Sequence, residues 1–121
     1  AAGSSIRIWG LLERIHDVMT VDEIASAVDV QALTIGYGDL CKEMSLPLAS
    51  EHPEFVGVRS LVVAASVTHG FWPIDGVVVA RPGDVEQLCR QSASRGFVGR
   101  SLYDPRHVAG CRAAFVRTPP S

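Results

Sequence analysis

Two acidic residues, Glu13 and Asp39, each follow an apolar segment and stand 26 positions apart. The apolar segments cover 6–13 and 32–39, and residues 21–28 between them have helical spacing. This pattern predicts a strand–helix–strand unit, which makes its two strands parallel. In parallel α/β folds, ligands bind at the carboxyl ends of the strands. Two carboxylates at that edge suit a hard cation such as Mg²⁺, with water and substrate oxygens completing its coordination.

The elements that must position these acids are four successive β-α units. Strands are expected at about 6–12, 32–35, 74–79 and 98–102. Helices are expected at about 21–28, 39–44, 54–68, 84–94 and 106–115. The continuous apolar run at 74–79 is typical of a strand buried on both faces. Such units form either a small open parallel sheet or half of an eight-unit barrel, and a half-barrel would need a partner.

Composition and charge exclude several classes of protein. With 121 residues, 47% hydrophobic and 20% charged, the chain is expected to form one globular domain over 1–121. A net charge of −2 without a dense Lys/Arg cluster indicates no nucleic-acid or anionic-membrane partner. Since no apolar run approaches about 20 residues, no membrane span is expected. Three scattered cysteines without a CxxC motif argue against zinc and indicate reduced thiols in a cytoplasmic protein.

Several other residues allow two interpretations each. Gly36 and Gly38 would either permit a tight turn with positive φ or let a substrate approach the backbone. Asp75 would either line the inner rim, where it would bind substrate, or hydrogen-bond a neighbouring loop. Arg59 would hold a carboxylate or phosphate, or else form an ion pair within the fold. Two cysteines on apolar helix faces, at positions 89 and 111, are expected to be inert.

A series of short segments carries a resemblance to a known family. The segments are Leu11-Leu12-Glu13, Asp22-Glu23-Ile24-Ala25, Ile35-Gly36-Tyr37-Gly38-Asp39-Leu40, Arg59-Ser60, Val62-Val63-Ala64-Ala65, Ile74-Asp75-Gly76-Val77, Arg95-Gly96-Phe97-Val98-Gly99-Arg100 and Asp104-Pro105-Arg106-His107-Val108. In this order they resemble the citrate lyase β-subunit-like family of the HpcH/HpaI aldolase superfamily. The resemblance covers nearly the whole chain except 44–53.

The resemblance implies a fold and a chemistry. The fold would be α/β, with parallel β-α units forming the C-terminal half of a TIM (β/α)8 barrel. Glu13 and Asp39 would bind Mg²⁺, which would polarise the carbonyl oxygens of an oxoacid and stabilise an enolate. The reaction would be carbon–carbon lysis of a malyl-, citramalyl- or citryl-type thioester of CoA or an acyl carrier. The catalytic base is not identified. The expected protein partner is the missing half-barrel or, in a homo-oligomer, another copy of the chain.

Two alternative functions remain open. The chain has Arg14, Asp17 and Asp104 where the family usually has Thr, Gly and His, and the family's catalytic Arg belongs to the first half of the barrel. These departures favour a non-catalytic, degenerate half-barrel that serves as a subunit or interaction module. Because some family members hydrolyse the thioester, a Mg²⁺-dependent acyl-CoA thioesterase is the other alternative.

Overall fold

The computed structural model describes residues 6–27, 29–78 and 84–116. Its strands are β1 (Trp9–Leu12), β2 (Ala32–Ile35), β3 (Trp72–Asp75) and β4 (Gly99–Arg100). Its helices are α1 (Ile15–Met19), α2 (Val21–Ala27), α3 (Tyr37–Glu43), α4 (Phe55–His69), α5 (Val85–Ser94) and α6 (Val108–Phe115), with a 3₁₀ turn at Pro105–His107 before α6. Strands and helices therefore alternate along the chain as predicted.

The four strands form a parallel sheet in the order β1-β2-β3-β4. Trp9 pairs with Ala32, which in turn pairs with Trp72. Leu12 pairs with Ile35, so β1 and β2 end at the same edge of the sheet. Each parallel connection contains at least one helix, which is the crossover that parallel pairing requires.

The two faces of the sheet differ in their cover. Leu12, Leu33 and Ile35 point to one face and belong to the hydrophobic core, together with buried residues of α1 to α4. On the other face, Trp9, Leu11 and Trp72 remain 57%, 53% and 48% exposed. Because side chains alternate across a strand, these three residues belong to the face opposite the core. We call this surface, defined by Trp9, Leu11 and Trp72, the open face.

Helix α4 follows the predicted pattern closely. Val58, Val62 and Ala65 recur at helical spacing, and all three are buried. The helix ends at Gly70, whose φ of +80° places it in the left-handed region where glycine is favoured. The helix predicted at 54–68 is therefore confirmed, with bounds one residue later.

The strand boundaries required correction. Strand β3 runs from Trp72 to Asp75 instead of over 74–79 and includes Pro73; residues 76–78 are not strand, and residue 79 lies outside the described part of the chain. Proline is tolerated there because it stands at the start of the strand, where its carbonyl accepts a hydrogen bond from Val98 N. Strands β1 and β4 are shorter than predicted, and α1 was not predicted. Within the described residues, no helix is long and apolar enough to cross a membrane.

Candidate metal and substrate site

The structure brings Glu13 and Asp39 together at one edge of the sheet. Glu13 directly follows β1, and Asp39 lies in the first turn of α3, which begins directly after β2. The neighbouring Asp39 carboxyl raises the pKa of Glu13. Both residues line an open cavity of about 350 Å³, together with Arg14, Lys42 and Glu43. The structure therefore places the two predicted metal ligands at one cavity.

The contact between the two carboxyl groups has an electrostatic signature. The hydrogen bond with Asp39 and the negative charge of Asp39 raise the pKa of Glu13, with smaller contributions from burial and from Asp17. Two neighbouring carboxylates disfavour simultaneous ionisation. A divalent cation would relieve this repulsion, and carboxylate oxygens are the ligands that Mg²⁺ prefers. The residues present therefore fit a magnesium ion.

Protein atoms would complete only part of such a coordination sphere. Among residues 6–27, 29–78 and 84–116, no group of three or more His, Cys, Asp or Glu side chains is arranged to hold a metal ion. Glu43, which lines the same cavity, uses Oε2 to accept a hydrogen bond from Ile15 N at 3.1 Å. With two carboxylate ligands, an ion would keep several waters or substrate oxygens, as is usual for Mg²⁺ in proteins.

Gly36 is needed because β1 and the β2–α3 turn approach each other closely. A Cβ at Gly36 would lie 2.8 Å from Glu13 Cβ and 3.3 Å from Glu13 Cα. Gly36 N also donates a hydrogen bond of 2.7 Å to Leu12 O. Since its φ is −93°, the predicted positive-φ explanation is wrong for this residue. Gly36 instead lets the two segments that carry the acidic residues come into contact.

Gly38 lies on the wall of a neighbouring cavity. This cavity has a volume of about 350 Å³ and is also lined by Asp39, Cys41, Lys42, Leu46 and Leu48. A Cβ at Gly38 would meet nothing closer than Leu48 Cδ1, at 3.8 Å. The backbone at Gly38 is thus accessible from the cavity, and its contact with a substrate stays a prediction.

Asp75 occupies a different position from the other predicted site residues. Its side chain is fully buried and accepts hydrogen bonds from the Tyr37 hydroxyl, from Ser92 Oγ at 2.6 Å and from Gly76 N at 2.9 Å. Arg100 Nη1 lies 3.5 Å from its Oδ2. In this structure the carboxylate has no surface open to a ligand. The geometry therefore favours the structural alternative over substrate binding.

Arg59 belongs to the same buried network. Its Nη2 donates to Ser50 O at 2.6 Å, its Nε lies 3.7 Å from Asp75 Oδ2, and its guanidinium stacks over the Tyr37 ring at 4.9 Å. The side chain is 5% exposed. The interpretation of Arg59 as an ion pair within the fold is confirmed. Because its charge is engaged inside the protein, it is not available as the anchor for a substrate anion.

Glu51 closes the network from the loop before α4. It accepts hydrogen bonds from Arg100 Nη2 at 2.8 Å and from Ser50 Oγ at 2.7 Å. Partial burial acts to raise the pKa of Glu51, but these hydrogen bonds and the charges of Arg100 and Arg59 hold it below its usual value. The network therefore fixes the 50–51 loop against β3 and β4.

Two basic residues of the site were missed by sequence reasoning. Arg14 directly follows Glu13, and Lys42 lies three positions after Asp39 on the same helix; both line the cavity of the acidic pair. Residues three apart on a helix lie on the same face, so the spacing of Asp39 and Lys42 was a usable signal. The site therefore combines a pair of carboxylates with a pair of cations.

A comparison with protein families identifies the class to which this arrangement belongs. Residues 2–105 match the model of the HpcH/HpaI aldolase/citrate lyase family. The chain belongs to this family. The resemblance noted in the sequence is thereby confirmed.

Individual relatives are longer than this chain. A (3S)-malyl-CoA thioesterase from Cereibacter sphaeroides is 27% identical over 115 residues, which are 93% of this chain and 40% of the relative. RipC from Yersinia pestis has a TM-score of 0.82 at 20% identity, over 93% of this chain and 53% of that one. Protein CitE from Mycobacterium tuberculosis, solved with magnesium and acetate, has a TM-score of 0.80 at 21% identity, over 97% of this chain and 53% of that one.

These coverages show how much of a complete barrel the chain represents. It spans about half, or less, of the length of the relatives it matches. The structural neighbours are TIM-barrel-like, and four parallel β-α units are half of such a barrel. The predicted half-barrel fold is therefore confirmed.

Proposed function

We propose that the chain is half of a Mg²⁺-dependent carbon–carbon lyase that acts on a malyl-, citramalyl- or citryl-type thioester of CoA or an acyl carrier. The observation that carries this proposal is that Glu13 and Asp39 line one cavity beside Arg14 and Lys42, where Asp39 raises the pKa of Glu13. Family membership supports the class of reaction. The open face supports the view that another half-barrel completes the active site.

Each part of the site has a distinct task in this proposal. Glu13 and Asp39 hold the metal ion, which supplies Lewis-acid polarisation of the substrate carbonyl when it is bound. Arg14 and Lys42 attract the free carboxylate of the hydroxy-dicarboxylyl group, because both cations line the cavity. Gly38 leaves the backbone open to the substrate. The base that removes the hydroxyl proton is not assigned to a residue of this chain.

Metal binding provides the first test. Calorimetric titration of the chain with MgCl₂ should show binding that Glu13→Gln and Asp39→Asn each weaken by about tenfold or more, because each removes a charged ligand. Glu23→Gln is the matched control, since Glu23 is an exposed acid on α2. Equal binding by all four proteins would contradict the proposal.

Product analysis tests the reaction in the protein that contains both halves of the barrel. With malyl-CoA and Mg²⁺, a lyase releases glyoxylate and acetyl-CoA, because the bond between the carbinol carbon and the methylene carbon next to the thioester carbonyl breaks. Lys42→Ala should raise KM more than it lowers kcat if Lys42 binds the substrate carboxylate. Glyoxylate release that does not depend on Glu13 would contradict the proposed site.

A thioesterase is the second candidate function. It is favoured by the 27% identity to a (3S)-malyl-CoA thioesterase, a protein named for hydrolysis of the thioester. The same assay separates the two reactions, since hydrolysis releases malate and free CoA thiol instead of glyoxylate and acetyl-CoA. Absence of both product pairs in the complete protein would favour the non-catalytic module, which the departures at Arg14, Asp17 and Asp104 suggested.

A further inference from the structure

Glu43 lines the cavity of the acidic pair and is bonded to a different segment of the chain. It is the last residue of α3 and follows Asp39 by four positions, so the two side chains share one face of the helix. Glu43 Oε2 accepts a hydrogen bond of 3.1 Å from the N–H of Ile15, the first residue of α1. Since Ile15 stands two positions after Glu13, this bond joins the helix that carries Asp39 to the segment that carries Glu13.

The Ile15 N–H group needs an acceptor from outside its own helix. The first N–H groups of an α-helix have no intrahelical partner, and the side chain of the N-cap residue often satisfies one of them. The N-cap of α1 is Arg14, whose side chain makes no capping hydrogen bond within the described residues. The Glu43 carboxylate supplies an acceptor from 28 positions further along the chain. The beginning of α1 is thus held by α3.

The same two segments are also bonded on the other side of Asp39. Gly36, three positions before Asp39, donates from its N–H to Leu12 O at 2.7 Å. The bond of Glu43 lies four positions after Asp39. The turn and helix that carry Asp39 are therefore bonded to the Glu13 segment both before and after the acid. A rotation of α3 away from Glu13 would have to break the bond of Glu43.

We propose that Glu43 is a positioning residue of the magnesium site, whose bond to the Ile15 N–H holds Glu13 and Asp39 in place at one cavity. This inference rests on the proposed function, since it takes the two acids as the metal ligands. In the described part of the chain, no group of three or more His, Cys, Asp or Glu side chains is arranged to hold an ion. Glu43 therefore acts through its hydrogen bond, and a neutral acceptor at the same position should replace it.

Three variants separate the acceptor from the charge. Glu43→Ala removes both, Glu43→Gln keeps an acceptor oxygen, and Glu23→Ala removes an exposed acid from α2 as the matched control. In calorimetric titration with MgCl₂, Glu43→Ala should weaken binding about tenfold, as expected for a residue that orients a metal ligand. Glu43→Gln should stay within about threefold of wild type, because only a screened surface charge is lost. Glu23→Ala should bind like wild type.

Amide hydrogen exchange provides a readout that needs no metal. In NMR spectra of the metal-free chain, the Ile15 amide should exchange several-fold faster in Glu43→Ala than in wild type or Glu43→Gln, because its acceptor is gone. The urea midpoint of unfolding should stay close to that of wild type in both Glu43 variants, since the lost bond is exposed. Weaker Mg²⁺ binding at an unchanged midpoint is what a positioning role predicts.

A proline at position 15 tests the same bond from the donor side. Arg14 has φ −126° and ψ 148°, the extended conformation that a following proline favours, and proline is well tolerated at the first position of a helix. Ile15→Pro therefore removes the N–H group and leaves the Glu43 carboxylate in place. Glu43→Ala should weaken Mg²⁺ binding far less in the Ile15→Pro chain than in wild type, because the bond is already absent.

The outcomes separate this inference from the proposed function. A wild-type chain that does not bind Mg²⁺, or binding that Glu13→Gln leaves unchanged, would reject the metal site and this inference with it. Binding that Glu13→Gln weakens and Glu43→Ala does not would reject the role of Glu43 alone. Equal losses in Glu43→Gln and Glu43→Ala would assign the effect to charge, and an undiminished loss in the Ile15→Pro chain would assign it to another contact. Should Ile15→Pro fail to fold, the comparison of alanine with glutamine at position 43 still decides.

Discussion

The Tyr37 hydroxyl donates a hydrogen bond to the fully buried Asp75 carboxylate. Tyr37 stands two positions before the candidate metal ligand Asp39. Burial and the charge of Asp75 raise the pKa of Tyr37 far above its usual value, although Arg59 and Arg100 act to lower it. Tyr37 therefore remains a donor throughout the ordinary pH range. The bond connects the first turn of α3, which carries Asp39, to strand β3.

Replacement of Tyr37 by phenylalanine should destabilise the fold. The Phe ring would still pack against Phe55, whose ring centroid lies 5.1 Å away, but Asp75 would lose a donor in a buried place. We expect the free energy of unfolding in urea to fall by about 1–3 kcal/mol. Tyr103→Phe, at a residue that is 70% exposed, is the matched control and should change little. Equal losses in the two variants would mean that the buried bond contributes nothing specific.

Gly36→Ala should damage the site through geometry alone. The new Cβ would lie 2.8 Å from Glu13 Cβ, so either β1 or the β2–α3 turn must move. We expect a loss of stability of about 1–3 kcal/mol and weaker Mg²⁺ binding in calorimetry. Gly38→Ala is the control on the same turn, since its Cβ would have ordinary contact with Leu48 at 3.8 Å. If Gly38→Ala is the more damaging change, close approach at Gly36 is not the reason for the glycine.

The acidic pair should make stability depend on pH in a specific direction. Because the pKa of Glu13 is raised in the folded protein, the folded state binds this proton more tightly than the unfolded chain does. The resulting stabilisation is complete below the unfolded pKa and is lost as pH rises through the folded pKa. Glu13→Gln should therefore match wild type near pH 4 and become the more stable protein at pH 7.

A double-mutant cycle identifies the cause of that pH dependence. Asp39 is the main source of the shift, so the advantage of Glu13→Gln at pH 7 should shrink when Asp39 is already asparagine. Urea denaturation of the four proteins at both pH values provides the data. An advantage of the same size in the Asp39→Asn background would show that the two carboxylates are not coupled. Added Mg²⁺ should stabilise wild type more than Glu13→Gln at the same concentration.

The features predictable from the sequence are those encoded by local periodicity. Helix α4 shows its apolar spacing and its terminal glycine directly. Asp84 is the N-cap of α5, and its side chain accepts a hydrogen bond from Gln87 N at 3.1 Å. The spacing of Glu13 and Asp39 also placed the two acids at one edge, because parallel strands with matched register end together. The helix signals lie within single elements, and the Glu13–Asp39 spacing lies within two successive β-α units.

The features that were missed depend on contacts between distant segments. Helix α1 has only five residues, and its first N–H at Ile15 is held by Glu43, 28 positions away. The need for Gly36 arises from Glu13, which directly follows the neighbouring strand, and no local pattern records that approach. The burial of Asp75 likewise depends on Tyr37 and Ser92, which come from two other elements. Local sequence reasoning has no access to such pairs.

The open face leads to a prediction about assembly. Trp9 and Trp72 are the two tryptophans of the chain, and both lie on this face beside Leu11. Apolar surface of this kind is rarely left exposed on a monomer. We expect the 121-residue chain to associate through it with a second half-barrel, burying roughly 2,000 Å² or more in total. Light scattering should detect the assembly, and tryptophan emission should shift to shorter wavelength as it forms.

A charged residue on the open face should prevent this association. Leu11→Asp places a carboxylate among apolar neighbours that would become buried, which is costly without a partner charge. We expect that variant to scatter as a monomer with solvent-exposed tryptophan emission at every concentration. Val67→Asp is the matched control, because Val67 is 83% exposed on α4 and outside the open face. A wild-type chain that stays monodisperse and monomeric, with emission independent of concentration, would contradict the prediction and leave the open face without a partner of its own kind.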